Sequence, residues 1–110
     1  MQLDDVLDAI KGEGLKVIKD EFKDLLVAAK KDKSEFIRKS ADQLRQALIY
    51  CGEGKLTKDD VDTLLRKQKK IAQIEANNSK IELLSRIQKI TYRLLDIAID
   101  VLVKRIVPVA

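Results

Sequence analysis

Apolar residues recur along this chain in steps of three and four, in blocks separated by short polar or glycine-containing breaks. Such steps place side chains on one face of a helix. The first block runs through Leu3, Leu7, Ile10, Leu15, Ile18, Phe22, Leu25, Leu26 and Ala29. It predicts a helix over 3–31, with Asp4, Asp5 and Asp8 where negative charge suits the helix start. Gly12 and Gly14 interrupt it, at about 1 kcal/mol each relative to Ala, so this segment is expected to fray or kink. Gly14 also falls on the apolar stripe, where a missing side chain would admit a neighbouring helix closely.

The stripe resumes at Ile37, Ala41, Leu44, Leu48 and Cys51, predicting a helix over 33–51. Lys33 stands where a continuous stripe would need an apolar residue, and Asp32 and Glu35 have capping-box spacing. A break is therefore expected at Lys31-Asp32-Lys33. Ile49 and Tyr50 point away from this stripe.

Cys51-Gly52-Glu53-Gly54-Lys55 divides the chain near its middle. Gly52 and Gly54 can take the left-handed conformation that ends a helix. Thr57 then reads as an N-cap with Asp60 at N3, and Leu56 and Val61 are placed as a hydrophobic staple. A helix over 58–76 follows, through Val61, Leu64, Leu65, Ile71, Ala72 and Ile74. Asn77 and Asn78 favour a turn, and Ser79 with Glu82 forms a second capping-box pattern that opens a helix over 80–107, before Pro108. The breaks near 32 and 78 lie at similar distances from the central glycines, so they fall level if the chain folds back there.

In the last helix the polar residues Glu82, Ser85, Arg86, Lys89, Arg93, Asp96, Asp100 and Lys104 form one narrow strip. The remaining arc is wider than one neighbouring helix can cover. This helix is therefore central, and a lone hairpin would leave it wet. The predicted class is all-α: a single domain over 1–110 forming an antiparallel, coiled-coil-like helical hairpin or four-helix bundle. The long heptad-like stripes favour completion by oligomerisation, with hairpins pairing between subunits as a homo-oligomer, in the first instance a dimer, or with another helical protein. The residues placed at that interface are Ile87, Ile90, Leu94, Ile97, Val101 and Leu102.

Composition narrows the chemistry. With 45% hydrophobic and 36% charged residues, the chain is too apolar for disorder and too charged for a membrane bundle. No apolar run reaches the ~18 residues of a spanning helix. The absence of histidine removes the usual general base and the commonest metal ligand. The single cysteine, Cys51, excludes an internal disulfide and a cysteine-based zinc site; it lies on an apolar stripe and reads as a buried small hydrophobe. A free thiol and an N-terminus without basic and apolar signal segments lead to the expectation of a cytoplasmic protein. Asp96 and Asp100 have ligand-like spacing, but Arg93 and Lys104 are placed to pair with them, so a salt-bridge strip is expected instead of a metal site. Gly52-Glu53-Gly54-Lys55 lacks the insertion and Ser/Thr ending of a phosphate loop. No catalytic constellation, cofactor or metal is expected.

Net charge is +4, from 22 basic and 18 acidic residues of interleaved sign. The one dense basic run is Arg66-Lys67-Gln68-Lys69-Lys70, and Lys30, Lys31 and Lys33 could add to it in a folded-back chain. Arg66, Lys67, Lys69 and Lys70 form the alternative site, for nucleic acid or another anionic surface. The run spreads around the helix and lacks aromatic stacking partners, so it is not the favoured reading. Tyr50-Cys51-Gly52 and Tyr92-Arg93-Leu94-Leu95-Asp96 resemble degraded motifs of the small secreted helical hairpins of the WXG-hundred type. The Trp is replaced and the second motif lies within the most apolar helix, so no membership is assigned. The reading that remains is a small helical association or adaptor module.

Overall fold

The computed structural model describes residues 1–108, and among these the ordered elements are helices. They are α1 (Leu3–Ala9), α2 (Leu15–Lys31), α3 (Glu35–Gly52), α4 (Lys58–Asn77) and α5 (residues 81–105). α2 to α5 alternate in direction around a common core, and α1 packs on α3. The radius of gyration is 13.6 Å, as expected of a compact chain of this length.

The predicted first helix is in fact two. α1 ends at Ala9, and Gly14 takes φ +74° as the residue before α2. That conformation breaks the helix, and a Cβ at Gly14 would meet nothing within 4 Å, so this glycine serves a turn and not a close approach. Lys19 of α2 reaches back and donates to the Leu7 and Ile10 carbonyls at 3.2 and 2.8 Å, and the Leu7 carbonyl also accepts from the Ile10 N–H at 3.1 Å. Close approach is found at Gly52 instead. Gly52 is the last residue of α3, not a left-handed cap, and a Cβ there would lie 2.7 Å from Val6 Cγ2 of α1. The left-handed residue of this turn is Gly54, at φ +77°.

The predicted cap at Thr57 is present: Thr57 Oγ1 accepts from the Asp60 N–H at 3.0 Å, and Asp60 Oδ2 accepts from the Thr57 N–H at 3.1 Å. The other two breaks use different residues from those expected. α3 is capped by Ser34, whose hydroxyl accepts from the Ile37 N–H at 3.3 Å, while Asp32 accepts from the Ser34 N–H at 2.8 Å. At the α4–α5 turn Ser79 donates to the Glu75 carbonyl at 2.7 Å, closing α4 in place of opening α5.

α5 is the spine. Its 25 residues span about 37 Å at helical rise, against a longest molecular dimension of 44 Å, and it packs against α2, α3 and α4. The wide apolar arc is covered by these helices of the same chain. The pairing of hairpins between subunits was expected in order to cover that arc, and here the cover comes from within.

Two stretches of α5, Ile87–Tyr92 and Ala98–Leu102, have the wider π-helical turn. Their sequence shows why. Ile87, Thr91, Leu95, Ile99 and Val103 are all buried, as are Leu94, Ala98, Leu102 and Ile106. Both rows advance by four residues. In an ordinary helix such a row drifts about 40° per step, and would carry Val103 well away from the side of Ile87. Widened turns with bonds to the fifth residue take up the drift and hold both rows inward.

Candidate interaction surface

The residues expected at an intersubunit interface lie inside the chain. Ile87 and Leu102 are fully buried, Leu94 and Ile97 are 2% exposed, and Ile90 and Val101 are partly buried against the same core. The polar strip of α5 also has a different role from the one its spacing suggested. Arg93 does not pair with Asp96 along its own helix; it holds Glu21 of α2 through bonds of 2.7 and 2.9 Å. That grip keeps the Glu21 carboxyl below its ordinary pKa and the Arg93 guanidinium above its own. Asp96 receives Lys69 of α4 at 2.5 Å. Lys58 of α4 donates to the Lys104 carbonyl at 3.1 Å. The strip is narrow because α2 and α4 flank it and supply its partners.

This arrangement divides the basic run. Arg66, Lys69 and Lys70 line a groove of about 390 Å³ between α4 and α5, facing Asp96 and Asp100. Arg66 is bonded to Asp62 at 2.8 Å, which raises its pKa, and Asp100 adds to that effect. Lys67 is exposed and does not line this groove. Lys30, Lys31 and Lys33 are not gathered with the run. Asp32, beside them, pairs with Arg86, ten residues and thus about 15 Å along α5 from Asp96, where Lys69 is held. Within the run, Arg66 and Lys69 are ion-paired, while Lys67 and Lys70 are exposed.

An unpartnered apolar stripe lies on α4, while Val17 and Val27 of α2, Ile81 of α5 and Val107 are further exposed apolar side chains. α4 buries Val61, Leu65, Ala72 and Ala76. Leu64, Ile71 and Ile74, expected with them in one stripe, are instead 45%, 48% and 62% exposed. At 100° per residue the two sets separate: the first faces the core, and the second forms a stripe beside it, turned outward. The inner set includes two alanines, Ala72 and Ala76, so the larger side chains of Ile71 and Ile74 lie on the outer set. The signal was available in the sequence as two interleaved stripes on one helix. Because both stripes advance by three- and four-residue steps, spacing alone does not separate them.

Tyr50 of α3 is also partly exposed, with the Lys55 ammonium 5.3 Å from its ring centre. Its neighbour Ile49 is buried, as is Cys51, whose thiol is pushed up in pKa by burial. A second crevice, of about 620 Å³, lies between α2 and α3 over Leu26 and Ala41. On its α3 side Lys39 pairs with Glu35 at 3.0 Å and Arg45 with Asp42 at 3.9 Å, while Arg38 donates to the Asp32 carbonyl. Among the described residues no helix is long and apolar enough to cross a membrane. Comparison with known proteins returns no match among family models, curated sequences or solved structures.

Proposed function

We propose that this chain is a small helical protein–protein association module whose docking face is the outer stripe of α4. The observation that carries this reading is the exposure of Leu64, Ile71 and Ile74 on a helix that already buries a complete separate face. Single exposed apolar residues are ordinary, whereas contiguous exposed apolar patches mark interaction sites, and three such side chains on one helix face support that reading. Helical partners recognise such faces through anchors three, four and seven residues apart. The reading of the basic run as an anion site has less support, because Arg66 and Lys69 are already held by Asp62 and Asp96.

The test is the pair Ile71→Ser with Ile74→Ser. Both side chains are largely in solvent, so the double variant should keep the parent's helicity and melting temperature. It should lose the association that the parent shows with amphipathic helical peptides or with itself, followed by titration and light scattering. Association unchanged by the double substitution, or a parent that associates with neither, refutes the reading.

A further inference from the structure

The outer face of α4 has a charge pattern as well as an apolar one, and from it we infer its partner's chemistry: an amphipathic α-helix whose apolar ridge is flanked by carboxylates. This inference rests on the reading of that face as a docking surface. Leu64, Ile71 and Ile74 are seven and three residues apart, a span of about 15 Å that three turns of another helix would cover. Lys67 falls within the stripe, between Leu64 and Ile71, and Lys70 stands along its edge. Both are exposed, and the ion pairs among the described residues include neither. Their neighbours Arg66 and Lys69 are neutralised by Asp62 and Asp96. The carboxylates of this face lie toward its ends: Glu75 is near the last turn, and Asp60 is committed to the Thr57 cap. Positive charge outside any ion pair, Lys67 within the stripe and Lys70 on its groove-side edge, is thus concentrated at the middle of an apolar stripe.

That pattern discriminates between partners. A second copy laid antiparallel, with Leu64 against Ile74, would bring Lys67 and Lys70 of both copies around the two-fold axis. Four cations within about two helical turns oppose that contact. A helix carrying Glu or Asp beside its apolar ridge meets the same cations with attraction, while the lysine stems add apolar cover.

Two synthetic helical peptides test the inference on the full chain. They share a Leu/Ile ridge at i, i+3 and i+7 and differ only in flanking residues, Glu in one and Lys in the other. The Glu peptide should bind the parent about tenfold more tightly at low salt, and the preference should shrink as salt is added. Lys67→Glu with Lys70→Glu should reverse the preference, with circular dichroism confirming an unchanged fold. Equal binding of the two peptides, or a preference unmoved by the charge reversal, overturns the acidic partner but leaves the apolar docking face standing. Failure of both peptides to bind the parent overturns the inference; if the peptide-free chain is also monomeric, the docking reading falls with it. A peptide-free dimer abolished by Ile71→Ser with Ile74→Ser identifies a second copy as the occupant and likewise overturns the inference.

Discussion

Arg86, in the first turns of α5, holds the carboxylate of Asp32 at 3.1 and 3.3 Å and so joins the α2–α3 turn to the spine. The same turn is held by Arg38, which donates to the Asp32 carbonyl at 2.6 Å. The Asp32 side chain is only 7% exposed. Arg86→Ala should therefore destabilise the chain by about 1–3 kcal/mol, the range for a charge-assisted bond whose buried partner is left behind. Asp32→Ala should cost at least as much, because the Ser34 N–H also loses its acceptor. Urea unfolding of the two single variants and the double variant measures the coupling, and additive losses would show that the pair does not act as a unit.

The same carboxylate gives the chain an acid dependence. Burial alone would raise the Asp32 pKa, but the Ser34 N–H and Arg86 outweigh it and hold the group below its ordinary value. A carboxyl depressed in the folded state binds fewer protons there than in the unfolded chain. Its contribution is complete above about pH 5 and declines as pH falls through the folded value. Stability should fall on acidification, and Asp32→Asn should flatten that decline when melting is followed from pH 7 to pH 3. A parent curve matched in slope by the variant would remove Asp32 as a source.

Thr91 lies on the first buried row of α5, inside a π-helical stretch, 2% exposed and with no partner for its hydroxyl. An unsatisfied buried hydroxyl costs about 1–3 kcal/mol, and valine has nearly the same shape. Thr91→Val should raise stability by about 1 kcal/mol or more, read as a higher denaturation midpoint at unchanged slope. A loss of stability would mean that the hydroxyl has a partner of its own.

The two faces of α4 and the spine should respond very differently to truncation. Leu95 is 1% exposed, and Leu95→Ala should cost about 2–5 kcal/mol. Ile74→Ala, at a position 62% exposed, should stay within about 0.5 kcal/mol of the parent. Comparable losses at both sites would contradict the outward placement of the stripe.

Gly52→Ala tests the seat of α1. The added methyl would lie 2.7 Å from Val6 Cγ2 and 3.3 Å from the Met1 sulfur. The backbone is helical there, so propensity alone favours Ala by about 1 kcal/mol. The clash should prevail, with a net loss of about 1–2 kcal/mol and faster amide exchange in α1. A stabilised variant would show that α1 moves aside freely.

The all-helical class, the break at Asp32 and the Thr57 cap could be read from the chain, because apolar spacing and capping chemistry are local. Side chains that choose between two nearby roles could not. Ser79 had a carbonyl behind it as well as an N–H ahead, and the end of α4 won. Gly12 and Gly14 were expected to weaken a helix, but Gly14 breaks it outright by taking a positive φ. The π-helical turns left a trace in the polar strip of α5, where Glu82, Ser85, Lys89, Arg93, Asp96, Asp100 and Lys104 step by 3-4-4-3-4-4. That repeat is slightly longer than 3.6 residues. The apolar arc of α5 is too wide for one neighbour, and three helices cover it. Whether the cover came from the same chain or another was decided by how sharply the chain turns at 32–34 and 78–80, which spacing does not encode.

The central position of the last-formed helix has a consequence for how the protein is made. During synthesis α1 to α4 leave the ribosome before the element against which three of them pack. Until α5 arrives, the apolar stripes of α2, α3 and α4 lack their common surface, so folding of the domain waits on this helix. Emergence of the spine should therefore act as the trigger for folding of the whole domain, and chains arrested before residue 81 should be targets for chaperones and proteases.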